Sequence, residues 1–345
     1  MISASSDTAV RFGQVPIGVG HPVAIIAEIG INHEGDADVC GQMIEAAARA
    51  GADLVKLQVI DPTLNYAPGT VSHDIFTRAW IEQERIEGLF RFAREIGIEI
   101  FATTGDAATF DLIDRLAPAG HKVSSGLLTH IPLIERAARS GHPLMMSTGM
   151  AEDGDVDAAM ASARRAGASG IVLLHCTSIY PAPENELHLA AIPYLAERHA
   201  VPVGYSDHSL GIEAAAIAAG IGAVAVEKHF TLDVRRPDFD HRLSLEPEQF
   251  AAMVQAVRRA EKMRGEAHKI LSAEERKVAA ESRRYVAAAR PLTIGTVIEQ
   301  ADIAFLRLLP GAPRKYVPSQ ANVVVGRRVR RAILPFTAIT AEDIE

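Results

Sequence analysis

Residues 223–233 read AVAVEKHFTLD. The four small apolar residues are typical of a buried β-strand, which runs directly into Glu227, Lys228 and His229. One such segment indicates no more than a solvated strand end, or an ion pair beside a histidine. The segment nevertheless decides the fold, because its pattern of an apolar strand with polar residues at the carboxyl end recurs along the chain.

Short β-branched runs bounded by glycine, proline or polar residues predict eight strands. They cover residues 24–30, 54–58, 98–104, 121–125, 143–149, 171–177, 202–208 and 223–230. Ala-rich amphipathic stretches separate most of them, and several end in a glycine suited to a left-handed helix C-cap: Gly51, Gly97, Gly141 and Gly167. Eight alternating strand–helix units predict a TIM (β/α)8 barrel, with an open doubly wound sheet as the alternative.

The chain length favours a barrel with an additional domain. At 345 residues the chain exceeds the roughly 250 residues of a TIM barrel. From about residue 264 it reads RGEAHKILSAEERKVAAESRR, a charged helical stretch, and short β-like pieces follow, VVVGRRVRRAIL among them. We therefore predict an α/β chain with the barrel at 1–264, a helical linker at 265–284 and a small β-rich domain at 285–345.

Composition restricts the classes of function. The net charge of −8 argues against a general nucleic-acid or membrane-surface role. No uncharged apolar run is long enough to span a membrane, and the first twenty residues do not resemble a signal peptide. Cys40 and Cys176 lie far apart in sequence, which does not indicate a disulfide framework. We therefore expect a cytoplasmic protein.

Polar residues stand at all eight predicted strand ends, where a TIM barrel has its active site. They are Glu28, Lys56, Gln58, Thr103, Thr104, Ser125, Ser147, Thr148, His175, Thr177, Ser178, Ser206, Asp207, His208, Glu227, Lys228 and His229. Any one of them fits an ordinary helix N-cap. Their recurrence around the whole barrel predicts a functional site.

These residues form two chemical groups. The first combines ammonium groups and hydroxyls, which bind phosphate together with helix N-termini: Lys56, Lys122, Ser125, Ser147 and Ser206. The second is His208 and His229 on adjacent strands, with Glu28 across the mouth. Two imidazoles with open positions suit Mn²⁺, Zn²⁺, Co²⁺ or Fe²⁺, although His33, His175 and His241 are alternative ligands. Such a site suits aldol-type condensation, isomerisation or phosphate transfer on a small phosphorylated molecule.

Taken together, the strand-end motifs resemble the sialic acid synthase family, which includes legionaminic and pseudaminic acid synthases. The matching stretches are AEIGINHEGD (27–36), VKLQ (55–58), KVSSG (122–126), LMMSTGM (144–150), LLHCTSIYPAP (173–183), VGYSDHSLG (203–211), VEKHFTLD (226–233) and DHRLSLEP (240–247). ARPLTIGTVIEQADI (289–303) and GRRVRRAILPFTAITAEDI (326–344) resemble the family's C-terminal antifreeze-like (SAF) domain. The resemblance covers almost the whole chain and implies a TIM barrel followed by an SAF domain.

The resemblance also implies an activity. Similar enzymes condense phosphoenolpyruvate with an aldose, N-acetylmannosamine or a related amino or deoxy sugar, to give a 3-deoxy-2-ulosonic acid of the sialic acid type and phosphate. Residues matching the phosphoenolpyruvate contacts are Lys56, Thr103, Lys122, Ser125, Ser147, Ser178 and Ser206. The implied partners are these two substrates and a second copy of the chain, in a domain-swapped homodimer whose tail caps the partner's mouth.

Roles in catalysis follow from the same resemblance. Glu28 matches the carboxylate that handles protons, and His208 and His229 match the ligands of a catalytic divalent metal ion that activates the aldehyde oxygen. Mn²⁺ is the expected ion, with Mg²⁺, Co²⁺ and Zn²⁺ as alternatives. Residues resembling the acceptor contacts are Gln58, Tyr180, Asp240 and Arg307. Glu227 or Lys228 is expected to support the wall of the mouth.

The acceptor half of the motif set departs from the family pattern. Thr103-Thr104-Gly105 replaces Thr-Pro-Phe, Leu127 stands where an acidic residue is common, Asp238-Phe239 replaces Gly-Pro, Ser178 replaces Asn, and two leucines separate Arg307 from Pro310. We therefore expect an unusual acceptor, either a 6-deoxy diacetamido hexose or a sugar without the usual acetamido group. The alternatives are a non-catalytic carbohydrate-binding barrel and a metal-dependent barrel aldolase that releases pyruvate.

Overall fold

The eight predicted strands close into one parallel barrel in this computed structural model, which describes residues 9–345. A hairpin of β1 (Val10–Phe12) and β2 (Val15–Ile17) precedes the barrel. The barrel strands are β3 (Ala24–Gly30), β4 (Leu54–Val59), β5 (Glu99–Thr104), β6 (His121–Val123), β7 (Leu144–Ser147), β8 (Ile171–Cys176), β9 (Val203–Asp207) and β10 (Ala225–His229). Because β10 pairs with both β9 and β3, the TIM barrel prediction is confirmed and the open sheet is excluded.

Helices connect the barrel strands. They are α1 (Ala37–Arg49), α2 (Pro62–Asn65), α3 (Val71–Arg78), α4 (Gln83–Ile96), α5 (Ala107–Arg115), α6 (Ile131–Arg139), α7 (Asp153–Ala166), α8 (Ala191–His199), α9 (Glu213–Gly220) and α10 (Pro247–Arg264). Gly97 and Gly167 end α4 and α7 with φ of 77° and 92°, which confirms these predicted C-caps. Gly51 and Gly141 also have positive φ and follow the C-caps of α1 and α6, the position at which a left-handed glycine ends a helix.

The N-terminal hairpin closes one end of the barrel. Phe12 is fully buried, and its ring centroid lies 5.5 Å from that of Phe101 on β5. The hairpin contacts the glycines that precede β6 and β8, since an added Cβ would overlap Phe12 at Gly120 and Val10 at Gly170. These contacts lie at the amino ends of the strands. A ligand therefore reaches the barrel interior from the carboxyl ends, where the polar residues stand.

Contacts divide the chain into one unit that ends at Gly265 and another over Glu266–Glu345. The second unit contains α11 (Ala273–Ser282), β11 (Tyr285–Ala288), β12 (Ile303–Leu306) and α12 (Ala321–Val324). β11 and β12 form an antiparallel pair, and isolated bridges such as Leu292–Ile333 complete a small β-rich fold. It has its own apolar core, which includes Val286 and Ile339.

The predicted β-like character of VVVGRRVRRAIL is wrong for its first residues. Val323 and Val324 belong to the helical turn α12, which follows a 3₁₀ turn that begins at Pro318. Burial of Val324 in the small core outweighs the β-propensity of the valines. The later residues of the stretch do pair, since Arg328 and Val329 form isolated antiparallel bridges.

Two further expectations are met within residues 9–345. Cys40 and Cys176 are both free and buried, in agreement with a chain without a disulfide framework. None of the helices in the described part of the chain has the length and apolar character needed to cross a membrane.

Candidate active site

A cavity of about 450 Å³ opens at the carboxyl ends of the barrel strands. Of the barrel residues assigned a catalytic, metal or substrate role, all except Thr103 line it: Glu28, Lys56, Gln58, Lys122, Ser125, Ser147, Ser178, Tyr180, Ser206, His208, His229 and Asp240. The other strand-end residues, Thr104, Thr148, His175, Thr177, Asp207 and Lys228, do not line it, whereas Glu227 does. Thr103 is fully buried, and its Oγ1 accepts a 3.4 Å hydrogen bond from Lys56 Nζ. Arg307 belongs to the C-terminal unit, and its acceptor contact stays a prediction.

Strand register brings the inner residues together. Glu28 on β3 pairs with Lys56 on β4, and Gln58 two residues later pairs with Thr103 on β5. Thr103 in turn pairs with Lys122 on β6. Because side chains alternate between the two faces of a strand, Lys56 and Gln58 both point into the barrel. The parallel register therefore places charged and amide groups from distant parts of the chain side by side.

Two lysines and two glutamates form a buried charge cluster at the base of the cavity. Lys56 Nζ lies 2.9 Å from Glu28 Oε2 and 3.6 Å from Glu227 Oε2, and Lys122 Nζ lies 3.0 Å from Glu227 Oε1. None of these side chains is more than 5% exposed. The cluster balances two cations against two anions, which makes its burial tolerable.

Burial and pairing shift the pKa values in opposite directions. Burial raises the pKa of Glu28, although Lys56 counteracts it. Burial also acts to raise the pKa of Glu227, but Lys122 and Lys56 outweigh it and lower the pKa to about 2. Burial lowers the pKa of Lys122 despite the neighbouring Glu227. Glu227 is therefore the more acidic carboxyl group of the cluster, and Glu28 is the one with the greater tendency to hold a proton.

The sequence predicts that Glu227 or Lys228 supports the wall of the mouth, and the structure gives Glu227 a central position in the charge cluster. Besides both lysines, it accepts a 2.9 Å hydrogen bond from Ser206 Oγ. Lys228 faces away from the cavity and pairs with Asp207 at 2.9 Å. The sequence did carry a signal, because two lysines predicted at the base of one pocket require counterions.

A set of serine hydroxyls lies beside the charge cluster. Ser147 Oγ is buried and has no hydrogen-bond partner within the described residues. Ser125 Oγ accepts from the backbone N–H of Gly149 at 3.1 Å, and an added Cβ at Gly149 would overlap Ser178 Oγ. Buried hydroxyls are normally paired, so the free Ser147 hydroxyl indicates a position for a polar ligand.

His208 and His229 lie together at the ends of β9 and β10, with ring centroids 5.3 Å apart. His208 Nδ1 lies 2.9 Å from the carbonyl oxygen of Thr177, so in the neutral imidazole Nδ1 carries the proton and Nε2 is the acceptor. The ring of Tyr180 stacks on His208 at 4.2 Å. Burial and the neighbouring His208 lower the pKa of His229, so its imidazole is neutral at pH 7.

The two histidines fit an open metal site. His229 Nδ1 is buried without a hydrogen-bond partner, and the nearest carboxylate oxygen, Asp240 Oδ2, is 3.7 Å away. Within residues 9–345, no group of three or more His, Cys, Asp or Glu side chains is arranged to hold a metal ion. A divalent ion here would have two imidazole ligands, with its other positions left to water or substrate.

The three alternative histidines have other partners. His33 Nδ1 accepts from the backbone N–H of Gly35 at 3.1 Å. His175 Nε2 lies 2.7 Å from the carbonyl oxygen of Leu187, and His241 bridges Glu34 and Thr231. None of the three lines the cavity. The geometry therefore favours His208 and His229 among the histidines considered.

Comparison with known proteins identifies the chain. The NeuB family model matches residues 43–269, which is more than half of the chain. The chain belongs to the NeuB family. The SAF domain model matches residues 283–345, so the predicted barrel followed by an SAF domain is confirmed.

Named members of the NeuB family are similar over most of this chain. N,N'-diacetyllegionaminic acid synthase of Legionella pneumophila is 34% identical over 351 residues, which cover 96% of this chain and 98% of that protein. N-acetylneuraminate-9-phosphate synthase of Homo sapiens is 31% identical, with coverage of 91% and 90%. The crystal structure of N-acetylneuraminic acid synthetase from Leptospira borgpetersenii has a TM-score of 0.75 at 30% identity and covers 79% of this chain and 96% of that chain.

In this NeuB family chain, the mouth of the cavity also contains residues that were not among the predicted site residues. Ile31, Tyr66, Ser72, Ile75, Phe76, Met150 and Phe239 line it beyond the strand ends. Four of them come from the segment between β4 and α4, which contains no motif of the family. Asp240 is also here, and burial raises the pKa of its carboxyl group to about 6.

Proposed function

We propose that the protein condenses phosphoenolpyruvate with an aldose to give a 3-deoxy-2-ulosonic acid and phosphate. The observation that carries this proposal is one barrel-end cavity of a NeuB family chain that joins a pair of lysines, an unpartnered serine hydroxyl and a pair of imidazoles. The lysines and serines suit a phosphorylated anion, and the imidazoles suit a metal ion that acts on a carbonyl.

Phosphoenolpyruvate binds at the charged base of the cavity. Its phosphate and carboxylate groups accept hydrogen bonds from Lys56, Lys122 and Ser147, with Ser125, Ser178 and Ser206 around them and Thr103 behind Lys56. Both lysines already have glutamate partners, so the anion competes with Glu28 and Glu227 for them. Charge-assisted hydrogen bonds from an ammonium group are the strong contacts in such a site.

The condensation forms two bonds, one from C3 of phosphoenolpyruvate to the aldehyde carbon and one from the oxygen of a water to C2, and it breaks the bond from C2 to the phosphate oxygen. The two protons of that water end on the former aldehyde oxygen and on the released phosphate. C3 of phosphoenolpyruvate attacks the aldehyde carbon, water adds at C2, and the tetrahedral intermediate expels phosphate. Glu28 is the carboxylate positioned to stabilise positive charge at C2 and to move the proton of the water. Gln58 Nε2 donates a 2.6 Å hydrogen bond to Glu28 Oε1, which holds the carboxylate in place.

His208 and His229 would hold a divalent metal ion, which polarises the aldehyde oxygen of the acceptor. We propose Mn²⁺ first, with Mg²⁺, Co²⁺ and Zn²⁺ as alternatives. The stacked ring of Tyr180 keeps His208 in its orientation, and the Thr177 carbonyl fixes its tautomer. The histidines thus serve as ligands with a defined free nitrogen.

The acceptor occupies the outer part of the cavity. Gln58, Tyr180 and Asp240 are the proposed contacts from the barrel, since all three line the cavity, with Tyr180 stacked on His208 and Asp240 beside His229. Arg307 is a proposed contact from the SAF domain of a second copy, in a domain-swapped homodimer. Light scattering of the full-length chain, followed by activity measurements at increasing dilution, tests that assembly.

Phosphate release from phosphoenolpyruvate with a panel of aldoses, with and without Mn²⁺, tests the proposed activity. We expect phosphate and a product that has gained three carbons, as measured by mass spectrometry, and we expect Glu28→Gln to abolish both. Absence of phosphoenolpyruvate turnover with every aldose overturns the proposal. Sugar binding without phosphoenolpyruvate binding indicates a carbohydrate-binding barrel instead, and release of pyruvate indicates an aldolase.

A further inference from the structure

A fully buried ion pair lies directly behind the two cavity histidines. Lys228 Nζ is 2.9 Å from Asp207 Oδ2, and both side chains are 0% exposed. The two residues are register partners on β10 and β9, and neither lines the cavity. Because side chains alternate along a strand, the pair points to the outer face of the barrel. The residue that follows each member, His208 after Asp207 and His229 after Lys228, lines the cavity.

The ion pair fixes the backbone on both sides of His208. Asp207 Oδ1 accepts hydrogen bonds from the backbone N–H and from the hydroxyl group of Ser209, at 2.8 Å and 2.6 Å. Lys228 Nζ donates a 2.6 Å hydrogen bond to the carbonyl oxygen of Ser209. His208 therefore lies between two residues that are both bound to the pair, and Lys228 itself immediately precedes His229.

Stability alone does not account for this ion pair. Two charges that are removed completely from water lose their hydration, and apolar side chains of similar volume are often as stable in the same place. The remaining contacts of the pair go to the segment that carries His208, since Tyr205 OH also donates to Asp207 Oδ1 at 3.3 Å. These hydrogen bonds join the end of β9 to the end of β10, which is where the two histidines stand.

The two histidine rings are held in different ways. His208 Nδ1 donates to the carbonyl oxygen of Thr177, whereas the buried Nδ1 of His229 has no hydrogen-bond partner within the described residues. The direction of the His229 ring therefore depends more on its backbone. Lys228 holds that backbone beside the end of β9, so the distance between the two imidazoles depends on the ion pair.

We propose that Lys228 and Asp207 are positioning residues for the metal site, which hold His208 and His229 at the separation that a divalent ion requires. The inference rests on the proposed function, because it assumes that these two histidines bind the ion. The pair acts from outside the cavity and touches neither the ion nor a substrate. Loss of a group that orients metal ligands typically lowers the affinity for the ion about 10-fold to 100-fold.

Calorimetric titration of Mn²⁺ into the unaltered chain and into Lys228→Met/Asp207→Asn tests this inference. The double variant keeps an acceptor oxygen for Ser209 and leaves no unpaired charge. It should therefore recover most of the stability that Lys228→Met alone loses, as measured by urea denaturation. We nevertheless expect its Mn²⁺ affinity to be lower by about tenfold or more. Its affinity for phosphoenolpyruvate, titrated without metal, should stay unchanged, because Lys56 and Lys122 lie on β4 and β6.

An ion pair at the amino ends of the strands provides the matched control. Arg258 Nη2 lies 3.2 Å from Asp53 Oδ2, which also accepts from the backbone N–H of Ile25. Arg258 Nη1 donates to the carbonyl oxygen of Val23, so this partly exposed pair likewise combines a charge contact with backbone contacts. Arg258→Met/Asp53→Asn should leave both affinities unchanged.

The possible outcomes separate the inference from the proposed function. A double variant that recovers its Mn²⁺ affinity together with its stability would make the pair purely structural and overturn the inference. Equal losses of both affinities would indicate a general distortion of the cavity and would overturn it as well. Lys228→Leu/Asp207→Asn takes the place of the double variant if that chain fails to fold. Absence of Mn²⁺ binding to the unaltered chain overturns the proposed metal site and the inference with it.

Discussion

Lys122 Nζ lies 3.0 Å from Glu227 Oε1 at the base of the barrel cavity, and both side chains are at most 5% exposed. Lys56 is 3.6 Å from the same glutamate, so Glu227 is the shared counterion of two buried lysines. Removal of one partner from a buried pair leaves an uncompensated charge, which costs far more than the pair contributes. This relationship makes the base of the cavity sensitive to single substitutions.

We expect Glu227→Gln to lower the free energy of unfolding by about 3 kcal/mol or more, because it leaves buried lysine charge unpaired. Urea denaturation at pH 7 measures the effect. The double variant Glu227→Gln/Lys122→Met should recover part of the loss, since it removes the charge as well. Glu274→Ala is the matched control, because it breaks an ion pair with Lys277 whose side chains are 80% and 71% exposed. A Glu227→Gln variant as stable as that control contradicts the prediction.

Ser147→Ala separates a ligand contact from a structural one. Its hydroxyl has no partner among the described residues, so its removal should change the free energy of unfolding by less than about 0.5 kcal/mol. If the hydroxyl binds the phosphate group, the KM for phosphoenolpyruvate should rise about tenfold, as the loss of one hydrogen bond to a charged group predicts.

Ser162→Ala provides the control for that variant. Ser162 is also buried, but its hydroxyl donates a 3.0 Å hydrogen bond to Glu135, and neither residue lines the cavity. It should lower stability and leave the KM unchanged. The reverse pattern, a stability loss in Ser147→Ala with an unchanged KM, would assign Ser147 to the structure rather than to the ligand.

Substitution of either cavity histidine should remove metal-dependent turnover. His208→Ala and His229→Ala each delete one of the two imidazoles that fit the open site. Calorimetric titration with Mn²⁺ should show binding to the unaltered chain and none to either variant. His142→Ala, at the entry to β7 and outside the cavity, is the control. Full activity in both cavity variants would refute the ligand assignment.

Much of the barrel and its base could be predicted because the signals are local. An apolar run bounded by glycines identifies a strand wherever it lies, and a polar residue at its end identifies the rim, as with Glu28 and His229. Closure of the barrel then places these ends together without further information. The direction of individual side chains was harder to predict. The sequence shows that Glu227 and Lys228 point to opposite faces of the strand, but which of them faces the barrel interior depends on the strand register and on the lysines that already lie inside.

The mouth of the cavity was not predictable from motifs. Tyr66 follows α2 and Phe76 lies in α3, and their ring centroids are 5.1 Å apart. Both belong to the segment between β4 and α4, where no strand period fixes the direction of a side chain. Val324 in the C-terminal unit was equally hard to predict. It lies in a helical turn because it is buried in a small core, and this burial outweighs its β-propensity. Non-local packing determines these positions.

His33 should make stability depend on pH. Its side chain is 3% exposed, and burial lowers its pKa from 6.5 to about 4. The folded state favours the neutral imidazole, so the unfolded chain binds the proton at a higher pH than the folded chain does. The folded state therefore keeps its full stability above pH 6.5 and loses stability as the pH falls towards 4. This linkage should lower the free energy of unfolding by about 2 kcal/mol between pH 7.5 and pH 5.

A comparison with His33→Asn isolates the contribution of His33 to the pH dependence of stability. The variant removes the titrating imidazole and keeps a polar side chain near the Gly35 N–H, which donates a hydrogen bond to His33 in the unaltered chain. Urea midpoints of both chains at pH 7.5 and pH 5 give the two losses of stability, and all other histidines contribute equally to each. The unaltered chain should lose about 2 kcal/mol more than the variant over this range. Equal losses would mean that His33 is protonated as readily in the folded chain as in the unfolded one, which would contradict the desolvation argument.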